Sequence, residues 1–287
     1  MPTRARTSRA HTVDWYRKRV TDAPVSYSVY SSFSFFGRLH AGELPGMWLV
    51  SALGELGHSA SAVRQTLYRM EQSDELHSRS RGRHKFYRLA PAAQAEADAG
   101  LAKIRRGSEE AWDGLWTLVQ LHTQGDESIS RERLRALLHT EGFVAIGAGV
   151  FIHPRDRTER LLAAARGHDA LQILEVFRAR RINEAHAHFV RTHWNIDQIA
   201  GDYESFIHEY QVPRRTAQRA IAADAFVMRF ALVFDFLEVA WRDPELPLEL
   251  LPSRWPGHRA RELACALYDS LLPMAISRAE EILRDSR

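Results

Sequence analysis

The chain has 287 residues, of which 45% are hydrophobic and 26% are charged, and its formal net charge is +3. This length suffices for two or three modest domains with real cores, and the composition excludes a wholly disordered chain. The single cysteine, Cys265, excludes an internal disulfide and a cysteine-rich metal site. No run reaches the roughly 18–20 apolar residues of a membrane helix, and no secretory signal opens the chain, so we expect a soluble, cytoplasmic protein.

The charge is unevenly distributed along the chain. Residues 1–106 carry 17 Lys or Arg against 9 Asp or Glu, whereas residues 107–287 carry 22 against 27. A basic first third and an acidic remainder are typical of a chain in which one domain meets a polyanion. Nucleic acid is the first candidate for that polyanion and an acidic membrane surface is the second.

Residues 1–24 are rich in Arg, Thr and Ala and close on Pro24. This composition predicts a flexible basic leader. Its cations could follow DNA as an arm, and a plain flexible tail explains them equally well.

Residues 25–91 read as a winged helix-turn-helix. Apolar residues from Ser26 onward fall at helical spacing as far as Gly37, although the first few also alternate like a strand. The segment MWLVSALGEL predicts a second helix, and Ser59 or Ser61 can cap a third that reaches Gln72. Two strand-like segments, ELHSRS and HKFYRL, then flank a glycine, which predicts a β-hairpin, the wing.

The capped helix has two different faces. Val63, Leu67 and Met70 share a core stripe. The opposite side has hydrogen-bonding and cationic side chains and no carboxylate, which favours entry into a major groove lined by phosphates over an ordinary amphipathic surface helix. The candidate DNA-binding residues of this helix are Ser61, Arg64, Gln65, Tyr68, Arg69 and Gln72.

The hairpin sequence HSRSRGRHKFYRL has cations at alternating positions. Alternation predicts that Arg79, Arg81, Arg83 and Lys85 lie on related faces and grip the DNA backbone or a minor groove. The alternative is a charged edge strand that blocks aggregation. In either case, the apolar residues that follow anchor the hairpin to the core: Phe86, Tyr87 and Leu89.

The remainder of the chain changes character twice. Residues 92–110 predict an Ala-rich linker helix. Residues 111–182 alternate strands and helices in the order β-α-β-β-α-β, which predicts a ferredoxin-like α/β middle domain. Residues 183–287 are nearly all helical and predict a C-terminal effector and dimerisation domain, interrupted by a proline-rich loop.

Three segments in order resemble the PaaX-type transcriptional repressors, the family named for control of phenylacetic acid catabolism. The hairpin end GRHKFYRLAP (82–91) is similar to a motif of that family. WDGLWTLV (112–119), followed by GAGVFIHP (147–154), is similar to the entry of its middle domain. DPELPLELLPSRWPG (243–257) is similar to its closing loop at nearly every position.

The resemblance implies a winged-helix DNA-binding domain, a ferredoxin-like middle domain and a helical C-terminal domain. It also implies a homodimeric repressor that binds the operator DNA of an aromatic-compound catabolic operon and is released by an acyl-CoA thioester such as phenylacetyl-CoA. Around Phe234, Asp235 and Leu237 the chain departs from the family pattern, which leaves the identity of the effector open.

An effector with a CoA phosphate or carboxylate and an aryl group needs cations and aromatic faces. For any single aromatic residue of the helical region core packing is the better explanation, and for its arginine a structural salt bridge is. As a set they are the candidates for an effector site: Trp194, Tyr203, Arg229, Phe234 and Trp241.

Other chemistry has weaker support. His186 and His188 point apart on a helix, and His193 does not complete a site with them, so we expect no metal. The sequence has no catalytic or nucleotide-binding motif, and we expect neither a cofactor nor an enzyme. The alternatives are a metal-dependent nuclease built on the ferredoxin-like domain, with Asp113 and Asp156 as loose candidates, and an RNA-binding module.

Overall fold

The structure is a computed structural model, and it describes residues 9–105, 111–122, 128–167, 173–182, 186–211 and 221–286. It is a mixed α+β chain that groups into two units. The first unit comprises Met1–Gly107, Tyr203–Ala240 and Gly257–Arg287, and the second comprises Ser108–Asp202 and Trp241–Pro256. The helical segment that we predict as one C-terminal domain, residues 183–287, is therefore shared between the two units.

The first unit is mostly helical and has one small sheet. Its elements, in chain order, are α1 Arg9–Asp22, α2 Val25–Phe35, a 3-10 turn Gly37–His40, β1 Leu44–Pro45, α3 Gly46–Glu55, α4 Ala60–Gln72, β2 Leu76–Arg81, β3 His84–Leu89, α5 Pro91–Arg105, α10 Ala222–Ala240 and α11 Gly257–Asp285. Helix α9, Ile196–Gln211, begins in the second unit and ends in the first. The sheet is antiparallel with the strand order β1-β3-β2.

The predicted flexible leader is wrong for residues 9–22, which form helix α1. Tyr16 and Val20, four residues apart, are buried, and they give the helix an apolar side. The helix packs against α10, where the Arg19 guanidinium lies 2.7 Å from the buried carboxylate of Asp235. The same carboxylate accepts a 2.7 Å hydrogen bond from Tyr210, so the cation of a seemingly loose arm is part of a packed network.

The helices before the hairpin form where the sequence predicts them. The segment after Val25 is a helix and not a strand, because Val29 and Phe33 are buried one turn apart. Of the two candidate caps for α4, Ser59 is the one used: its side-chain oxygen accepts a hydrogen bond from the Ala62 N–H at 3.1 Å.

The last helix braces α3. The Trp48 indole N–H of α3 donates to the backbone carbonyl of Ala279 at 2.8 Å, and Arg278 pairs with Glu55. Both Trp48 and Ala279 are fully buried. The contacts fix the C-terminal end of the chain against the helices that precede the hairpin.

The second unit is built on a four-stranded antiparallel sheet with the order β5-β6-β4-β7. Its described elements are β4 Trp116–Leu121, α6 Ser128–Thr140, β5 Val144–Gly147, β6 Val150–His153, α7 Thr158–Gly167, β7 Leu174–Ala179, α8 His186–His193 and a 3-10 turn Leu248–Leu250. Gly149 makes the β5–β6 turn possible, because its φ is +73° and a Cβ there would lie 2.9 Å from the Leu121 carbonyl oxygen.

Both faces of this sheet are covered. Val119 and Phe151 pack with Leu134 and Leu138 of α6 on one face. Trp116 and the residues on its side of the sheet pack with the α8 region and the proline-rich loop on the other: Ile152, Val190, Trp194, Leu246 and Leu250. Across the described segments, no helix has the length and apolar character that a membrane crossing needs.

Candidate nucleic-acid interface

The two faces of α4 are as predicted. Val63, Leu67 and Met70 are buried in the first unit, at most 3% exposed. Every polar, cationic or aromatic residue that we assign to the opposite face is exposed: Ser61, Arg64, Gln65, Tyr68, Arg69 and Gln72. Tyr68 is the most informative of them, because 62% of a large aromatic side chain is left in solvent where packing does not explain it.

The one carboxylate of α4, Glu71, lies off this exposed face and is directed at the hairpin. It accepts hydrogen bonds from Lys85 at 2.8 Å and from Ser78 at 2.5 Å. The Lys85 ammonium, followed by the Ser78 hydroxyl, lowers the pKa of Glu71, and the same carboxylate raises the pKa of Lys85. The pair joins α4 to β3 and leaves the exposed face of the helix without a negative charge.

The hairpin cations do not share one face, and the prediction is wrong for Lys85. The strands are connected by the two residues Gly82 and Arg83, and Gly82 has a φ of +59°. Arg81 is consequently opposite His84, and Arg79 is opposite Phe86, while Lys85 is opposite Ser80. Since opposite residues of an antiparallel pair point to the same side, the short turn moves Lys85 to the face away from Arg79 and Arg81.

Arg79 and Arg81 share an intramolecular anion that the sequence does not reveal. Both guanidinium groups bind the same oxygen of Glu43, which lies just before β1; the Arg81 distance is 3.1 Å. The Glu43 side chain is 18% exposed and each arginine is 54% exposed. The Arg81 guanidinium also lies 5.1 Å from the centre of the Phe86 ring. No sequence spacing connects Glu43 with a hairpin 36 residues later.

Three cations of the candidate surface have no carboxylate partner among the residues described. Arg64 has no hydrogen bond there, Arg69 donates to Thr66 at 3.2 Å, and Arg83 at the hairpin tip donates to the His84 ring at 3.3 Å. Exposed guanidinium groups without an intramolecular anion are suited to phosphate oxygens. The alternative role of the hairpin, a charged edge strand that blocks aggregation, also stays open, because β2 lies at the edge of its sheet.

The three residues predicted to anchor the hairpin lie on its two faces, and only two of them are buried. Tyr87 and Leu89 are buried at 8% and 6% exposure, while Phe86 is half-buried on the other face, under Arg81. Phe86 thus supports the cation and is not a core residue.

The five effector candidates divide between the two units. Tyr203, Arg229 and Phe234 belong to the first unit, and Trp194 and Trp241 to the second. Tyr203 and Trp194 are buried, Trp241 is 50% exposed, and Phe234 packs edge-on against Tyr27 with 4.9 Å between ring centres. These residues remain a prediction as a ligand site.

Arg229 is held as a core residue would be. Its guanidinium lies 3.4 Å from the Tyr268 ring centre and 4.7 Å from that of Phe35, and it donates to the Tyr268 carbonyl. Burial lowers the pKa of Arg229 to about 10. No salt bridge to it occurs in the described ranges, so cation–π contacts take the place of the salt bridge that we consider as the alternative.

The weaker candidates for metal chemistry also have defined surroundings. The His186 ring lies near Trp112 and Trp116, and His193 contacts the carbonyl of Phe189 at 2.9 Å. Arg178 pairs with the carboxylates of both Asp113 and Asp156, so each is already bound by a cation of the chain itself. Among the described residues, no group of three His, Cys, Asp or Glu side chains could hold a metal ion.

Comparison with known proteins gives three consecutive matches to family models. Residues 28–93 match the PaaX-like protein model, residues 109–190 match the PaaX protein central Cas2-like domain, and residues 194–281 match the PaaX-like protein C-terminal domain. A curated relative, the transcriptional repressor PaaX of Escherichia coli K12, is 28% identical over 241 residues, which cover 81% of this chain and 76% of the relative.

A solved structure shares the fold. The uncharacterized protein Rv0674 from Mycobacterium tuberculosis is similar with a TM-score of 0.53 at 23% identity, covering 82% of this chain and 90% of that one. At this identity the likeness concerns the fold alone.

Proposed function

This chain belongs to the PaaX family, and from that premise we propose that it is a DNA-binding transcriptional repressor. The observation that carries the proposal is the exposed face of α4, which has amide, hydroxyl, aromatic and guanidinium groups and no carboxylate. Amide and guanidinium groups are the side chains that read adenine and guanine edges in a major groove. The family membership also makes this protein a regulator and not an enzyme, so the nuclease alternative is not favoured.

We assign the segment of the first unit that contains α3, α4 and the β2–β3 hairpin to a winged helix-turn-helix. Helices α3 and α4 are joined by the short segment 56–59, and the β2–β3 hairpin follows α4 within a few residues. In this interpretation α4 is the recognition helix and the hairpin is the wing. Gln65 and Tyr68 contact bases, Arg64 and Arg69 contact phosphates, and Arg83 with Arg79 and Arg81 holds the flanking backbone.

For the second unit we propose a ferredoxin-like domain. The strand order β5-β6-β4-β7, with α6 and α7 on one face, is that of a β-α-β-β-α-β chain whose first and third strands, β4 and β6, pair in the centre while the second and fourth lie at the edges. The name of the matching model, a Cas2-like domain, supports a compact α/β domain here.

The regulation that we propose follows the curated relative, a transcriptional repressor. We expect a homodimer that binds a two-fold symmetric operator of an aromatic-compound catabolic operon in the cytoplasm. An aryl-CoA thioester or related aromatic effector would release it, with a coupling free energy of about 1–3 kcal/mol between the two ligands.

One competition assay tests the nucleic-acid class. The protein is offered a random pool of DNA duplexes, the bound fraction is amplified through several rounds, and the selected duplex is competed with single-stranded RNA of the same sequence. A repressor selects a palindromic duplex and prefers it to the RNA. Equal or better binding of the RNA would favour the RNA-binding module instead, and divalent-ion-dependent cleavage of the duplex would favour the nuclease.

A further inference from the structure

A cavity of about 440 Å³ lies beside the hairpin within the first unit, near the turn that joins β2 and β3. Its wall includes His40 and Glu43 from the segment before β1, Arg81 and Phe86 from the hairpin, and Leu283 from the last turns of α11. This volume falls in the range of about 300–1,000 Å³ typical of small-molecule sites. None of these residues is among the effector candidates that the sequence offers, so the cavity is a separate site.

One corner of the cavity is cationic. Arg81 uses one of its five N–H donors on Glu43, and the described residues give it no second hydrogen bond. Glu43 is shared with Arg79, so one carboxylate faces two guanidinium groups and the corner keeps a positive charge. His84, opposite Arg81 in the strand register, also lines the cavity and adds a ring N–H. A carboxylate can accept two parallel N–H bonds from such an arginine.

The lining also has an apolar part, beside the polar side chains of His40 and Ser286. Phe86 and Leu283 are half-buried and contribute aromatic and aliphatic surface. Leu283 lies one turn beyond Ala279, whose carbonyl accepts from Trp48 of α3 at 2.8 Å. This part of the lining is thus fixed to α3, one of the helices before the hairpin.

We propose that this cavity binds a small organic carboxylate with an apolar body, and that the ligand withdraws Arg81 from DNA. The carboxylate binds Arg81 and His84, and the body lies against Phe86 and Leu283. Arg81 cannot give the same donors to a carboxylate in the cavity and to a phosphate outside it, so the ligand weakens DNA binding. The proposal rests on the proposed function, because it adds a ligand site, separate from the five effector candidates, whose occupancy is read out through DNA binding.

Calorimetry on the full chain without DNA tests the site itself. Benzoate and hexanoate should bind with one site per chain, whereas benzamide, which lacks the charge, and inorganic phosphate, which lacks the body, should bind at least tenfold more weakly. Leu283→Trp fills the cavity and should weaken benzoate at least tenfold. Met274→Trp, an apolar-to-Trp change at an exposed position of the same helix, should leave it unchanged.

Several results would overturn the proposal. If benzamide binds as tightly as benzoate, the site does not recognise the negative charge. If inorganic phosphate does, the site does not recognise an apolar body. Undiminished benzoate binding in folded Leu283→Trp would place the ligand elsewhere. If that variant fails to fold by circular dichroism, Arg81→Gln replaces it, because it removes the partner of the anion without filling the cavity, and the same tenfold loss is expected.

The coupling is measured separately by fluorescence anisotropy with the selected duplex. Saturating benzoate should raise the Kd for DNA severalfold in the wild type and should leave it unchanged in Leu283→Trp. A chain that binds benzoate but no duplex would refute the proposed function and leave the site intact. Benzoate binding that leaves DNA affinity unchanged would refute the withdrawal of Arg81.

Discussion

Gln65 and Tyr68 are the residues of α4 best placed to choose a sequence, because they are exposed on the helix centre and carry no charge. We predict that Gln65→Ala weakens the binding free energy for the selected duplex by about 1–3 kcal/mol, since a bidentate amide contact to a base is worth that much discrimination. Affinity for a scrambled duplex should stay the same. Anisotropy titrations with both duplexes measure this, and an equal loss on both would show that Gln65 does not read bases.

Arg83 should behave in the opposite way. It lies at the hairpin tip without a carboxylate partner in the described part of the chain, so Arg83→Ala should weaken selected and scrambled duplexes alike. The slope of log K against log salt should become less steep by about 1. Arg133→Ala, the same change at an exposed position of α6 in the second unit, is the control that should leave the slope unchanged. A slope that Arg83→Ala does not alter would contradict phosphate contact.

The sequence is a good guide to single residues where one helix determines their position. The core stripe and the exposed face of α4 follow from helical periodicity alone, and all six surface residues lie where we expect them. It is a poor guide where a turn sets the register. The alternation of cations through Gly82 does not reveal that a two-residue connection places Lys85 on the opposite face, next to Glu71.

Glu43 joins the segment before β1 to the hairpin, and we expect it to compete with DNA phosphates for the guanidinium groups of Arg79 and Arg81. We predict that Glu43→Gln strengthens binding to scrambled duplex and makes the salt slope steeper by about 1–2, because two guanidinium groups lose their intramolecular anion. Salt titrations of the variant measure both effects. Glu75→Gln, which removes a carboxylate bound to Tyr30 and Ser73, is the matched control. Weaker DNA binding by Glu43→Gln would show that Glu43 orients Arg79 and Arg81 for DNA and does not compete with DNA for them.

The β6 strand carries a pH-sensitive residue. His153 is buried, and its burial, with the neighbouring Arg157, lowers its pKa to about 3. The unfolded chain therefore binds a proton between about pH 6.5 and 3 that the folded chain does not, and stability falls as the pH decreases through this window. Within this window His153 lowers the free energy of unfolding by up to about 1.4 kcal/mol for each pH unit of acidification.

His153→Asn should remove that contribution. An amide oxygen can replace Nδ1, which accepts the Arg155 N–H at 3.0 Å. Urea unfolding at pH 7, 6 and 5 should show a smaller loss of free energy in the variant than in the wild type. The exposed His188→Asn is expected to follow the wild type. A variant as acid-sensitive as the wild type would show that His153 is not the titrating group.

Most elements follow from periodicity, and helix α1 shows where that method fails. The basic residues of the first 24 conceal a short apolar stripe at Tyr16 and Val20, which a composition count does not detect. The stripe stabilises α1 only because it packs against α10, about two hundred residues later in the chain, where Asp235 also pairs with Arg19. Local sequence does not contain this information, since tertiary packing decides whether a short helix is stable.

For the whole molecule, the sequence predicts the order of elements better than their grouping. Three consecutive domains are the natural interpretation of a chain whose pattern changes twice. The structure instead groups α10 and α11 in one unit with helices α1–α5 and the hairpin, and the hydrogen bond between Trp48 and Ala279 is one contact of this grouping. The C-terminal segment thereby forms part of the unit that carries the candidate DNA surface. An effector bound against α11 would act within that unit.

If the exposed face of α4 meets duplex DNA, a photoreactive side chain on that face should crosslink to the bound duplex. The photoreactive residue p-benzoylphenylalanine is placed at position 68 instead of Tyr68, and at position 248 instead of the exposed Leu248 of the second unit as a control. Irradiation with the selected duplex should crosslink position 68 to DNA in a salt-sensitive manner and leave position 248 unlinked. A crosslink at position 248 with none at position 68 would show that this face of α4 does not meet DNA.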